Sequence, residues 1–233
     1  MNWKSEWGIG NQNWDLEKRI RMQSSIIFFM EIIGTIAFAC SGAMVGIRTK
    51  MDIFGVCVLG VITSVGGGMI RDIMLGIIPP SIFYHPVYLV VAVVSSCFIF
   101  IAFIMGRKHR HEHIALIYDT LMLIMDTIGL AIFTVLGVNA GISQGFSNQT
   151  VLLVFVGTIT GVGGGLLRDM MAGIPPAIFV KHVYASASIV GSIAVAVLYN
   201  ILGPESAMLV GFCTVILIRF LAIYFKWNLP RIR

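Results

Sequence analysis

Two stretches of the 233-residue chain set ionisable side chains beside runs of glycine inside apolar sequence: Val65-Gly66-Gly67-Gly68-Met69-Ile70-Arg71-Asp72 and Val162-Gly163-Gly164-Gly165-Leu166-Leu167-Arg168-Asp169. Glu31, Asp119, Asp126 and Arg219 also lie inside or at the rims of apolar runs. At membrane depth an arginine costs about 2.5 kcal/mol or more, so such groups pair with one another or face a bundle interior or a water-filled cavity. The chemistry open to them is electrostatic: they staple helices together, or they line and gate a path for a charged solute. At 1.5 Å rise per residue, depth matches Glu31 with Arg71 and, by internal symmetry, Asp126 with Arg168. Asp119, seven residues before Asp126 on the same helical face, is a second candidate partner for Arg168. Arg219 is expected to snorkel toward the inner face in a structural role.

Each glycine forfeits roughly 1 kcal/mol of helix propensity relative to alanine. Close packing on one face needs a small residue only at every fourth position, whereas adjacent glycines point around most of a turn. Gly66, Gly67, Gly68, Gly163, Gly164 and Gly165 are therefore expected to kink or break their helices rather than only to pack. Carbonyls freed at membrane depth must be satisfied by protein or water, and they can coordinate an ion or its hydration shell. Thr63-Ser64-Val65-Gly66-Gly67 lacks the aromatic residue and the separate pore helix of a potassium-channel filter. Neither triplet is followed by Lys-Ser or Lys-Thr, which excludes a phosphate-binding loop and an ATP-driven pump. No enzyme chemistry is expected.

The elements that must position these groups follow from composition. With 58% hydrophobic and 12% charged residues and a mean hydropathy of +0.92, the chain is an integral membrane protein. Its net charge of +5 reflects Lys and Arg gathered in loops, so nucleic acid is not an expected partner and membrane lipids are. Cys40, Cys57, Cys97 and Cys213 all fall in apolar runs, pointing to neither disulfides nor a metal site. The Arg107-to-His113 segment, with three histidines, reads as a basic connecting loop rather than a metal site. Seven stretches reach the roughly 20 apolar residues needed to cross a bilayer: 25–46, 53–75, 87–105, 114–136, 151–171, 183–201 and 207–225.

Aligning the triplets brings Glu31 onto Asp126, Phe38 onto Phe133, Gly42 onto Gly137, Pro79-Pro80 onto Pro175-Pro176, and Tyr88 onto Tyr184. The fold expected is all-α, with two inverted three-helix repeats and a seventh helix. Its parts are an amino-terminal interfacial arm at 1–24, the first repeat at 25–105, a loop at 106–113, the second repeat at 114–201, the seventh helix at 202–226 and a basic tail at 227–233. A cleavable signal peptide is not expected. Nine loop Lys and Arg residues share the side of the carboxy terminus against four on the other, favouring a cytoplasmic C-terminus and an outside N-terminus.

The duplicated Gly-Gly-Gly-x-x-Arg-Asp on the second and fifth of seven spans, each followed by Gly, Pro-Pro and Ile-Phe, resembles the prokaryotic members of the trimeric intracellular cation (TRIC) channel family over about residues 25 to 225. The resemblance implies a homotrimer in the plasma membrane with a pore in each subunit for potassium and other monovalent cations. It implies no cofactor, though bound lipid is compatible with it. It places the six glycines at bends of pore-lining helices and makes Arg168, with its counterpart Arg71, the basic pore residue. Glu31, Asp72, Asp126 and Asp169, with Asp119, would neutralise these arginines and take part in gating. Related bacterial sequences are also labelled glycine transporters, so a secondary transporter of a small solute is the alternative.

Overall fold

The computed structural model describes residues 9–106, 111–180, 183–225 and 227, with side chains described for 25–106, 119–180, 183–225 and 227. The elements are α1 (Ile9–Arg48), α2 (Ile53–Met74), a 3-10 turn (Ser81–Phe83), α3 (Val87–Gly106), α4 (His111–Ser143), α5 (Thr150–Met171), α6 (Ala177–Val180), α7 (Ala185–Leu202) and α8 (Pro204–Tyr224). Among the described residues, seven helices are long and apolar enough to cross a membrane, the first being Ser25–Arg48 within α1 and the fourth Asp119–Ser143 within α4. The expected all-α, seven-span architecture is the observed one. Helix α1 begins at Ile9, so the described part of the amino-terminal segment continues the first span as one helix. Helix α4 outruns its expected end near 136 because Val138 is still fully buried and Gly141 still lies against Leu153 of α5.

Equivalent residues of the two repeats meet equivalent neighbours. Thr63 and Thr160 each donate to the carbonyl four residues back, Leu59 and Val156, at 2.6 Å. A Cβ on Gly42 would collide with Thr63 Oγ1, and one on Gly137 with Thr160 Oγ1; Gly60 and Gly157 stand in the same relation to Ser96 and Ser192. Three spans per repeat force the copies to enter from opposite faces. Helix α8 lies outside the duplication and packs on α7 and α4. Residues that pair with their own equivalents mark the pseudo-twofold axis: Phe38 stacks on Phe133 with ring centroids 5.2 Å apart, and α2 crosses α5 where Gly67 meets Gly164.

At that crossing neither helix is interrupted, so of the kink or break expected at the triplets it is the break that is corrected. Helical backbone runs through both triplets. The glycines are spent on contacts in several directions. A Cβ on Gly67 would overlap the Thr160 carbonyl oxygen and one on Gly164 the Thr63 carbonyl oxygen, while Gly165 makes room for the Tyr184 hydroxyl and Gly66 for Leu167. Backbone-to-backbone packing of this kind is a main source of helix association where no hydrophobic drive exists, and it offsets the lost propensity.

Candidate pore and its two charge sites

Each triplet is followed within one turn by an Arg-Asp pair at the end of its helix, and the chain then folds back locally in the same way twice. Gly76 (φ 74°) and Gly173 (φ 67°) take the left-handed conformation that ends α2 and α5, a geometry in which a side chain would be strained. The returning chain is tied down by the aspartates: Asp72 Oδ2 accepts the Ser81 N–H and Asp169 Oδ2 the Ala177 N–H, both at 2.7 Å. Their other oxygens accept Nε of the preceding arginine, Arg71 or Arg168, at 2.8 Å. The unanticipated helix α6 starts at this aspartate-capped turn.

Beyond this shared frame the repeats differ. In the second, Arg168 Nη1 donates to Asp126 Oδ1 at 2.6 Å and to Ser41 Oγ at 2.5 Å, and both partners of the ion pair are only 1% exposed. The pairing expected from depth and symmetry is present. In the first, no ion pair joins Glu31 to Arg71, which corrects the corresponding expectation. Arg71 lies wholly on Asp72, with Nη2 at 2.7 Å, and keeps 13% exposure, while Glu31 accepts a hydrogen bond from the Tyr88 hydroxyl. A polar cavity of about 270 Å³ occupies the space between them, bounded by Glu31, Ser64, Gly68, Arg71, His85 and Tyr88 and reaching Phe133.

Two further expectations change. Asp119 does not approach Arg168; it pairs with Arg48 at 2.9 Å on the exposed surface, because it sits at the rim of its span, two turns from Asp126. Arg219 does not snorkel. It is 3% exposed, its Cζ 4.9 Å from the centroid of the Tyr184 ring, and its Nε and Nη2 have no hydrogen-bond partner. The Tyr184 hydroxyl is likewise buried, over Gly165 and next to the Arg168 guanidinium, without a hydrogen-bond partner of normal geometry. Sequence reasoning used Tyr88 and Tyr184 only as markers of the repeat. Their matched place at the head of the third span of each copy, opposite matched acids, was the available signal.

Formal charges separate the two sites. Arg168 and Arg219 balance Asp126 and Asp169 in dry protein, whereas Arg71 and Asp72 cancel and leave Glu31 as one excess negative charge on the cavity wall. No cluster of three or more potential metal ligands occurs among the described residues. Cys57 and Cys97 bring their sulfurs to 3.4 Å across α2 and α3 and remain thiols. Residues 107–110 of the basic loop, and Lys181 and His182, lie outside the described residues.

The family model described as "Glycine transporter" matches residues 28–103 and 123–200, one segment in each repeat. The chain is 36% identical over 207 residues to the UPF0126 inner membrane protein YadS of Escherichia coli K12, covering 88% of this chain and 95% of that one. It is 31% identical to the UPF0126 membrane protein YvgT of Bacillus subtilis, covering 86% and 94%. Among solved structures, a prokaryotic TRIC channel crystallised in 0.5 M KCl superposes with a TM-score of 0.79 at 33% identity, over 88% of this chain and all of that one. The TRIC orthologue from Rhodobacter sphaeroides gives 0.77 at 28% identity, over 87% of this chain and all of that one.

Proposed function

Because the chain belongs to the trimeric intracellular cation channel family, we propose that each subunit conducts monovalent cations, potassium among them, along a gated path between the two repeats. The observation that carries this reading is the one-sided cavity. It reaches Phe133, which stacks on Phe38 near the pseudo-twofold axis, its wall bears the excess carboxylate of Glu31, and in the other repeat the equivalent acid, Asp126, is held by Arg168 in buried protein. A fixed negative charge in a narrow vestibule concentrates cations and repels anions. The Asp72 carboxylate keeps Arg71 from cancelling that field, which removes the difficulty of an arginine beside a cation path.

The closed end is held by the Arg168 clasp on Asp126, Asp169 and Ser41. Withdrawal of Arg168 opens it, with α2 and α5 bending about their glycine triplets. Three such subunits form the assembly, each with its own path, in the plasma membrane. The excess of Lys and Arg in the loops on the side of the carboxy terminus supports a cytoplasmic carboxy terminus, an orientation in which the Glu31 cavity faces outward. No catalytic step is assigned to any residue.

A second reading has a specific observation behind it, since two inverted repeats held in different arrangements, the arginine on its own aspartate in one and on Asp126 in the other, also fit a transporter of a small solute that alternates between faces. Proteoliposomes separate the two. Rapid potassium-driven dissipation of a membrane potential, without saturation by glycine, supports the channel. Saturable glycine accumulation without potassium flux would replace it.

A further inference from the structure

The repeats hold one set of side chains in two arrangements, and from this we infer that Tyr184 is a latch residue: when the second site opens, its hydroxyl takes the Asp126 carboxylate that Arg168 releases, as Tyr88 already holds Glu31. The inference rests on the gated-channel reading above and describes the second state of that same gate.

The correspondence is residue by residue. Each repeat has an acid on its first helix, an Arg-Asp pair closing its second, and a tyrosine at the head of its third span. In the first repeat the tyrosine holds the acid, the arginine has drawn back onto its own aspartate, and a cavity lies between. In the second repeat the arginine holds the acid, and the tyrosine hydroxyl is buried over Gly165 next to the Arg168 guanidinium, with no hydrogen-bond partner of normal geometry. A buried hydroxyl left unbonded is unfavourable, and here the other repeat displays the arrangement that would satisfy it. Arg219 lies over the ring of Tyr184, and this cation–π contact holds the ring in place before the exchange.

The exchange conserves interactions. Asp126 trades a guanidinium donor for a phenol donor, a hydrogen bond to a charged acceptor in both states. Arg168 keeps Asp169 and gains water in the space it vacates, as Arg71 does at 13% exposure against 1% for Arg168. Without the tyrosine hydroxyl, the opened state would leave Asp126 with water alone.

Tyr184→Phe tests this while preserving the ring and its contact with Arg219. In planar bilayers the ratio of open to closed time is expected to fall about tenfold, the size of one hydrogen bond to a charged group, with unitary conductance unchanged. An unaltered ratio in a conducting protein overturns the latch and leaves the channel reading standing. Absence of unitary currents in the parent protein overturns the channel reading instead. The exchange is then read from a cysteine at Ala177, the counterpart of the cavity residue Ser81, with the four native cysteines replaced by alanine. A hydrophilic thiol reagent is expected to label this cysteine about tenfold more slowly with Tyr184→Phe than without it, and equal rates overturn the latch.

Discussion

Replacing Arg168 by glutamine removes the guanidinium that closes the second site while keeping a side chain of similar reach. In the closed arrangement Arg168 binds Asp126, Asp169 and Ser41 at 2.5–2.8 Å, in a site where both members of the Arg168–Asp126 pair are 1% exposed. Asp126 would then be a buried charge without its cation, a loss of about 3–5 kcal/mol in comparable buried pairs. In the opened arrangement the same carboxylate meets water, so most of that penalty falls on the closed state. Taking the lower figure, about 3 kcal/mol is roughly a hundredfold increase in the ratio of open to closed time. Single-channel recording in symmetrical KCl measures that ratio, and elution volume with thermal melting in detergent confirms an assembled protein. A Ser41→Ala variant removes one hydrogen bond and should move the ratio the same way by about fivefold. An assembled Arg168→Gln protein with parental gating would refute the clasp.

Other consequences are equally direct. Gly67→Ala and Gly164→Ala, whose Cβ atoms would overlap a carbonyl of the opposing helix, should lower the melting temperature by several degrees. Gly68→Ala meets nothing closer than Arg71 Nη2 at 3.8 Å, and it should leave stability unchanged or raise it by up to about 1 kcal/mol of helix propensity, read as an unchanged or higher melting temperature. Glu31→Gln removes the excess charge from the cavity. With one charge worth roughly 1 kcal/mol to a cation at partly screened distance, conductance in dilute KCl should drop about fivefold and recover toward the parent value in concentrated KCl. Mild oxidation should join Cys57 to Cys97, whose sulfurs lie 3.4 Å apart, and titration with maleimide after denaturation should then find two thiols fewer.

Much of this was legible in the residues, for reasons that also explain what was not. The seven spans follow from hydropathy, and the Arg168–Asp126 pair follows from two depths and a repeat register, quantities that sequence position encodes. The same register wrongly paired Glu31 with Arg71, because equivalent sequence fixes which groups stand opposite one another but not which of two arrangements they occupy. Propensity describes a helix alone and so suggests a break at each triplet as readily as a kink; nothing in Val65 to Asp72 reveals that Thr160 and Gly164 will lie against it. Arg219 looked like a snorkelling residue because its neighbours in sequence are apolar all around α8, and the ring it rests on lies 35 positions away. Asp119 shares a helical face with Asp126, but it lies at the end of the span, where Arg48 is the nearer cation.

The claim on which the rest depends is that cations pass through this protein down their gradient. Unitary currents recorded across a bilayer with KCl concentrated on one side test it most directly. The account predicts discrete openings whose reversal potential lies near the potassium equilibrium potential and shifts toward zero in Glu31→Gln. A purified, assembled protein that gives no unitary current, or currents that reverse near the chloride potential, would contradict it.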